Sequence, residues 1–145
     1  MRIIVLIVAI FGGVQILLAD DIGYEWDSYN ATNQYKFQVS SASINKTPSW
    51  RESDDQPPLP ARKALRAARN SLVKLVADGA QWRLEEVSLS PLSENEGHWI
   101  YLVKFYPPLP PSGVFEGHIE PMIIPVLMSG IAIEPKINPS SLWKK

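Results

Sequence analysis

Between positions 61 and 90 the hydrophobic period of this chain changes from that of a helix to that of a strand. Ala61, Ala64, Leu65, Ala68, Leu72, Leu75 and Val76 recur at three- and four-residue steps, which places them along one face of an α-helix. Arg62, Arg66, Arg69, Asn70 and Lys74 fall largely on the opposite side. Prolines at 57, 58 and 60 precede the run and Gly79 follows Asp78, so the expected helix covers residues 61–78. Past Gly79 the period is two. Trp82 and Leu84 share a face, and Val87 and Leu89 continue one residue out of phase, which predicts a β-bulge at Glu85-Glu86 or a strand whose facing switches there.

Trp99, Tyr101, Val103 and Phe105 alternate with Ile100, Leu102 and Lys104. A strand apolar on both faces is central and covered twice, once by the helix and once by the N-terminal segment or a second copy of the chain. The prolines at 107, 108, 110 and 111 end it, because proline donates nothing to a ladder. Ile123–Met128 and Ile131–Ile133 flank Ser129-Gly130 as a hairpin, with Pro125 marking an edge or a bulge. A helix laid across such a meander is an α+β two-layer fold: one helix on an antiparallel sheet of three to five strands.

Ahead of this block, residues 20–60 read as an N-terminal segment and linker, with a short strand near 35–39 (Tyr35, Phe37, Val39). Ile22, Tyr24 and Trp26 alternate over too short a span to define a second. Residues 61–134 form the helix-plus-sheet domain, and 135–145 an irregular tail. Residues 1–19 read as a secretory signal peptide: Met1-Arg2, the apolar run Ile3–Leu18, and Ala19 before Asp20-Asp21. A retained anchor is the alternative, but a span wants about 20 apolar residues, and this run is shorter and holds Gly12, Gly13 and Gln15. The expected location is secreted or periplasmic, with no stable membrane span once the peptide is cleaved.

The chain has 145 residues and no cysteine, which removes disulfides, thiolate catalysis and cysteine-ligated zinc together. Its formal charge of −1 argues against nucleic acid as the main partner. Asn30-Ala31-Thr32 and Asn45-Lys46-Thr47 have the form of glycosylation sequons.

The segments Trp82–Leu89 and Trp99–Phe105, the alanine-rich helix before them and the Met128-Ser129-Gly130 turn after them resemble small exported domains of the PepSY and cystatin-like groups. That resemblance implies a cystatin-like two-layer fold and a role in binding other proteins or modulating peptidases. Cystatin inhibitors carry a Gln-x-Val-x-Gly loop that is missing here, so no inhibitory residue transfers.

Catalytic motifs are few. His98 and His118 are the only histidines, and no Gly-x-Ser-x-Gly elbow occurs. Glu116, His118 and Glu120 are the candidate metal ligands, with His98 as a fourth. In an extended strand these three lie about 6–7 Å apart, too far for one ion without a bend. Glu85 and Glu86 with Glu94 and Glu96 make a carboxylate set without an evident cleft. The repeated Pro-Pro-Leu-Pro at 57–60 and 107–110 reads as stiff connectors. The expected function is therefore an exported, non-catalytic binding module without a cofactor, possible as a homodimer; the alternative is a metal-binding protein or metal-assisted enzyme using Glu116, His118 and Glu120.

Overall fold

The computed structural model describes residues 22–30, 32–92, 96–113 and 120–140. In chain order they form β1 (Ile22–Tyr29), β2 (Asn33–Ser40), α1 (Ser41–Ile44), α2 (Ala61–Leu75), a 3₁₀ turn (Gly79–Gln81), β3 (Arg83–Pro91), β4 (Trp99–Tyr106), β5 (Met122–Leu127) and β6 (Pro135–Pro139). The strands make two antiparallel sheets, ordered β1-β2-β6 and β3-β4-β5. The chain is α+β with one main helix. Its six described strands in two sheets replace the single sheet of three to five strands expected from the sequence.

The β1–β2 hairpin is closed by the carboxamide of Asn30. Its Oδ1 accepts from the Asn33 and Thr32 amides at 2.7 and 3.0 Å, fixing the tight turn that an Asx residue favours. Tyr35, Phe37 and Val39 then point inward and are buried, while Lys36 and Gln38 point outward and both bond to Glu25. β1 is a full strand. Gly23 is the extra residue of a bulge that interrupts its alternation, and a Cβ there would come within 2.5 Å of the Ser41 hydroxyl.

The segment expected to be a linker is packed. Ile44 on α1 is fully buried, and Leu59 is 7 % exposed, held by the Tyr101 hydroxyl, which donates to its carbonyl at 2.8 Å. Leu59 thereby fixes the start of α2, and the Pro60 carbonyl accepts from Lys63 and Ala64.

α2 buries Ala64, Ala68 and Leu72, a stripe at four-residue steps, against β5 and β4. Two small residues in that stripe let the helix axis approach the sheet closely. The helix ends at Leu75, three residues short of the expected end. Val76 turns extended (φ −132°, ψ 138°) and carries its side chain into the core. Gly79 matters for space, not for a left-handed cap. A Cβ there would lie 2.6 Å from the Leu72 carbonyl oxygen, so only glycine lets the 3₁₀ turn fold against the helix end.

In the second sheet, Val87 and Leu89 on β3, Tyr101, Val103 and Phe105 on β4, and Met122, Ile124 and Val126 on β5 share the face toward the helix. Glu85 is the extra residue between Leu84 and Glu86, the expected bulge. On the opposite face of β4, Ile100 is fully buried, and Leu102 and Lys104 are half-buried. The hairpin after β5 is shorter than its sequence pattern. Ala132 forms a single bridge to Val126, and Ile131 and Ile133 bond to Leu127 and Pro125.

The backbone of β5 explains both Pro125 and the junction between the sheets. Antiparallel residues alternate in which neighbour they address. Met122, Ile124 and Val126 address β4; Ile123, Pro125 and Leu127 address the other side. The missing N–H of Pro125 therefore breaks no β4 bond, and its carbonyl accepts from Ile133 at 2.9 Å. At Ile123 the free side is met by Ser28 of β1. The Ser28 hydroxyl accepts from the Ile123 amide at 2.9 Å and donates to its carbonyl at 3.3 Å. One side chain that is 1 % exposed thus stands in for a strand where the sheets meet.

β6 occupies what the sequence reads as an irregular tail. Two of its five residues are proline, which masks it as a strand, yet the pairing from Asn33↔Pro139 to Phe37↔Pro135 is continuous. Buried residues of β2, α1, α2, β4 and β5 belong to one hydrophobic cluster.

Two substitutions test this account by urea unfolding. Ser28→Ala strands both polar groups of Ile123 and is expected to cost about 1–3 kcal/mol. Gly79→Ala forces backbone apart and should cost a similar amount, about 1–3 kcal/mol. Changes below half a kilocalorie at both positions would mean that neither contact holds the fold.

Candidate functional site

Three regions carry the chemistry that the described residues offer. The first is a hollow of about 380 Å³, open to solvent, between the β1–β2 turn and the end of α2. Asn30, Thr32, Tyr35, Val76, Asp78 and Trp82 line it. Its polar groups are engaged by the fold. Asn30 Nδ2 donates to the Tyr35 hydroxyl at 2.9 Å, and Asp78 Oδ1 accepts from Trp82 Nε1 at 2.9 Å. No nucleophile lies beside a base here.

The second region surrounds His98. The Thr47 hydroxyl donates its proton to the Ile44 carbonyl at 2.7 Å, so its 3.3 Å contact with His98 Nδ1 is one in which the imidazole donates. Trp99 stands at the same strand end, edge-on to Trp50 at 5.0 Å, and its Nε1 donates to the Trp50 carbonyl at 3.1 Å. Trp50 Nε1 is buried without an acceptor among the described residues. This arrangement locks the loop after α1 to the start of β4. His98 is built into a structural contact with Thr47.

The third region is the surface of α2. Arg62, Lys63, Arg66 and Lys74 are exposed, the helix contains no carboxylate, and Val73 is 49 % exposed among them. Among the described residues the ion pairs are Lys36–Glu25 and Lys104–Glu86, both 2.8 Å, so none neutralises this face. Arg69 departs from its expected outward position. Its guanidinium lies 4.3 Å over the Phe105 ring and donates to the carbonyls of Trp82 and, at 3.4 Å, Gly79. Burial pushes its pKa down. Arg69 follows the buried Ala68 in sequence, which brings its long side chain around the helix flank.

Of the expected metal ligands, Glu116 and His118 lie outside the described residues, and Glu120 is exposed beside β5. Among the described residues no group of three His, Asp or Glu side chains converges as a metal site. Of the carboxylate set, Glu94 is also outside them; Glu85 is the bulge residue, Glu86 pairs with Lys104, and Glu96 is exposed. The described residues do not assemble that set into an acid–base pair. The apolar run 3–18 and Trp143 lie outside them as well, and no helix among the described residues is long and apolar enough to cross a membrane. Trp82 is buried while Leu84, two residues on, is exposed, and Trp26 is half-buried, stacked on Tyr24 at 6.1 Å.

In comparisons with known proteins, no family model, curated protein or solved structure matches the chain.

The buried Tyr101 hydroxyl gives the fold a pH dependence. Desolvation raises its pKa above the ordinary 10.0. The folded state therefore favours the neutral phenol, whose contribution is complete below pH 10 and is lost as pH rises through the higher folded value. Unfolding free energy followed across the alkaline range should fall less steeply in Tyr101→Phe. At neutral pH that variant is expected to lose about 0.5–1.5 kcal/mol with the bond to Leu59. Parallel curves would show that another group causes the alkaline loss.

Proposed function

We propose that this chain is a small exported, non-catalytic binding module whose contact surface is the outward face of α2. The observation that carries the reading is the charge of that face: Arg62, Lys63, Arg66 and Lys74 stand exposed on a helix without a carboxylate, in a chain whose net charge is −1. Unpaired cations on one rigid element create a local positive potential that draws and orients an acidic partner, even on a molecule that is negative overall. The partner class is an acidic protein surface or peptide. The helix is about 22 Å long at 1.5 Å per residue, a footprint suited to one such segment.

Export is supported by the apolar run Ile3–Leu18 behind Arg2. A finer version is a cystatin-like, PepSY-type domain that modulates a peptidase. The arrangement of one helix across antiparallel strands supports the architecture, and the acidic partner would then be the peptidase itself.

Titration of the full chain in detergent with a short poly-L-glutamate, read by amide shifts, tests the proposal. Salt-sensitive shifts along residues 62–74 are expected. Arg62→Glu with Arg66→Glu, both exposed and harmless to the core, should weaken binding by at least about tenfold, or 1.4 kcal/mol. Absent shifts, shifts centred elsewhere, or a response to a DNA duplex but not to polyglutamate would overturn it.

A further inference from the structure

Among the described residues the outer edges of both β1 and β3 meet no further strand. The residues of the β1 edge that address solvent include Glu25 and Asp27, whose carboxylates would oppose each other in a second copy, whereas those of the β3 edge are apolar. In β6 the Ser140 amide donates to the Thr32 carbonyl at 2.8 Å, so the even-numbered residues of that segment address β2. Positions 135, 137 and 139 therefore point outward, and two of them are proline without a donor. The free side of β5 is met by Ser28 and by Ile131 and Ile133.

On β3 the Leu92 amide donates to the His98 carbonyl at 3.0 Å, so Ser90 and Ser88 address β4 while Val87, Leu89 and Pro91 address solvent. Val87 and Leu89 each present an N–H and a C=O that no strand among the described residues pairs. This open ladder is short. The bulge at Glu85 bounds it on one side and Pro91 on the other.

We infer that the outer edge of β3 is a pairing surface for β3 of a second copy of this chain, antiparallel and two-fold symmetric about Ser88. Self-complementarity selects a second copy as the occupant. In that register Val87 faces the second copy's Leu89 and Leu89 its Val87, so every open donor meets an open acceptor. Pro91 falls opposite the bulged Glu85, where neither strand has a regular ladder to offer. Glu86 falls opposite Ser90, so no like charges oppose each other. Residues 87 and 89 also bring apolar side chains together on the helix side. The surface is separate from the outward face of α2, and the inference stands without the proposal made for that face.

Amide hydrogen exchange of the full chain in detergent, measured from micromolar to millimolar concentration, tests the inference at residue level. Exchange at Val87 and Leu89 is expected to slow severalfold as concentration rises. Because the readout is confined to two amides, association through the apolar run at 3–18 does not imitate it. Leu89→Pro should abolish the slowing at Val87 while leaving the β3–β4 ladder intact, because residue 89 gives that ladder no bond.

A second pair of variants avoids the risk that proline distorts the strand. Ser88→Lys and Ser88→Glu each place like charges across the two-fold axis and should lose the slowing; an equal mixture of the two should regain it. Concentration-independent exchange at both amides, Lys and Glu variants that pair as well as the parent, or slowing that requires an added unrelated extended peptide would overturn the inference.

Discussion

The hydroxyl of Ser28 stands where an entire strand would otherwise be needed. β5 presents Ile123, with an amide and a carbonyl aimed away from its partner strand, to a buried seam with no strand beside it. Buried and unmatched, those groups would cost several times what an average hydrogen bond contributes. The serine satisfies both, so β1 can turn its inner face toward the edge of β5 without breaking cover. With that joint in place, Tyr35 and Phe37 from one sheet reach the same cluster as Val103 and Ile124 from the other. A threonine-sized or apolar residue would satisfy one requirement at the expense of the other, packing or bonding.

Two kinds of side chain divide α2. Ala64, Ala68 and Leu72 hold it close to β4 and β5, and the cations occupy what that closeness leaves outside. Arg69 lies between the two groups. Its stem and guanidinium cover Phe105 while its donors hold the carbonyls after the helix, so a charge that looks solvated in a helical projection ties the helix end to β3. The backbone under the exposed face is held because its opposite side is packed, while the long cationic side chains keep their rotamer freedom.

The elements legible in the sequence were those whose periodicity ran uninterrupted. Tyr35–Val39, the alanine stripe of α2, the slip at Glu85 and the alternation from Trp99 to Phe105 all follow from side chains sorting between core and water. The misses have local physical causes. Gly23 breaks the alternation of β1, and two prolines hide β6. The end of α2 was misplaced because Gly79 looks like a cap, whereas its role is to let two backbones touch. Pairing between distant segments, such as β2 with β6 or Ser28 with Ile123, leaves no trace in a local window. For the candidate contact surface, the sequence shows the basic residues of α2 as a solvated helix side, and the absence of carboxylates along the helix is the further signal it carries.

The prolines at 135 and 139 bear on the size any assembly of this chain can reach. A sheet that could accept strands at both ends would grow without limit, one molecule after another, into a fibre. With the outer margin of β6 short of two donors, the sheet β1-β2-β6 offers a regular ladder to a newcomer only along β1. Propagation through that sheet, which needs both of its margins, is blocked at one of them.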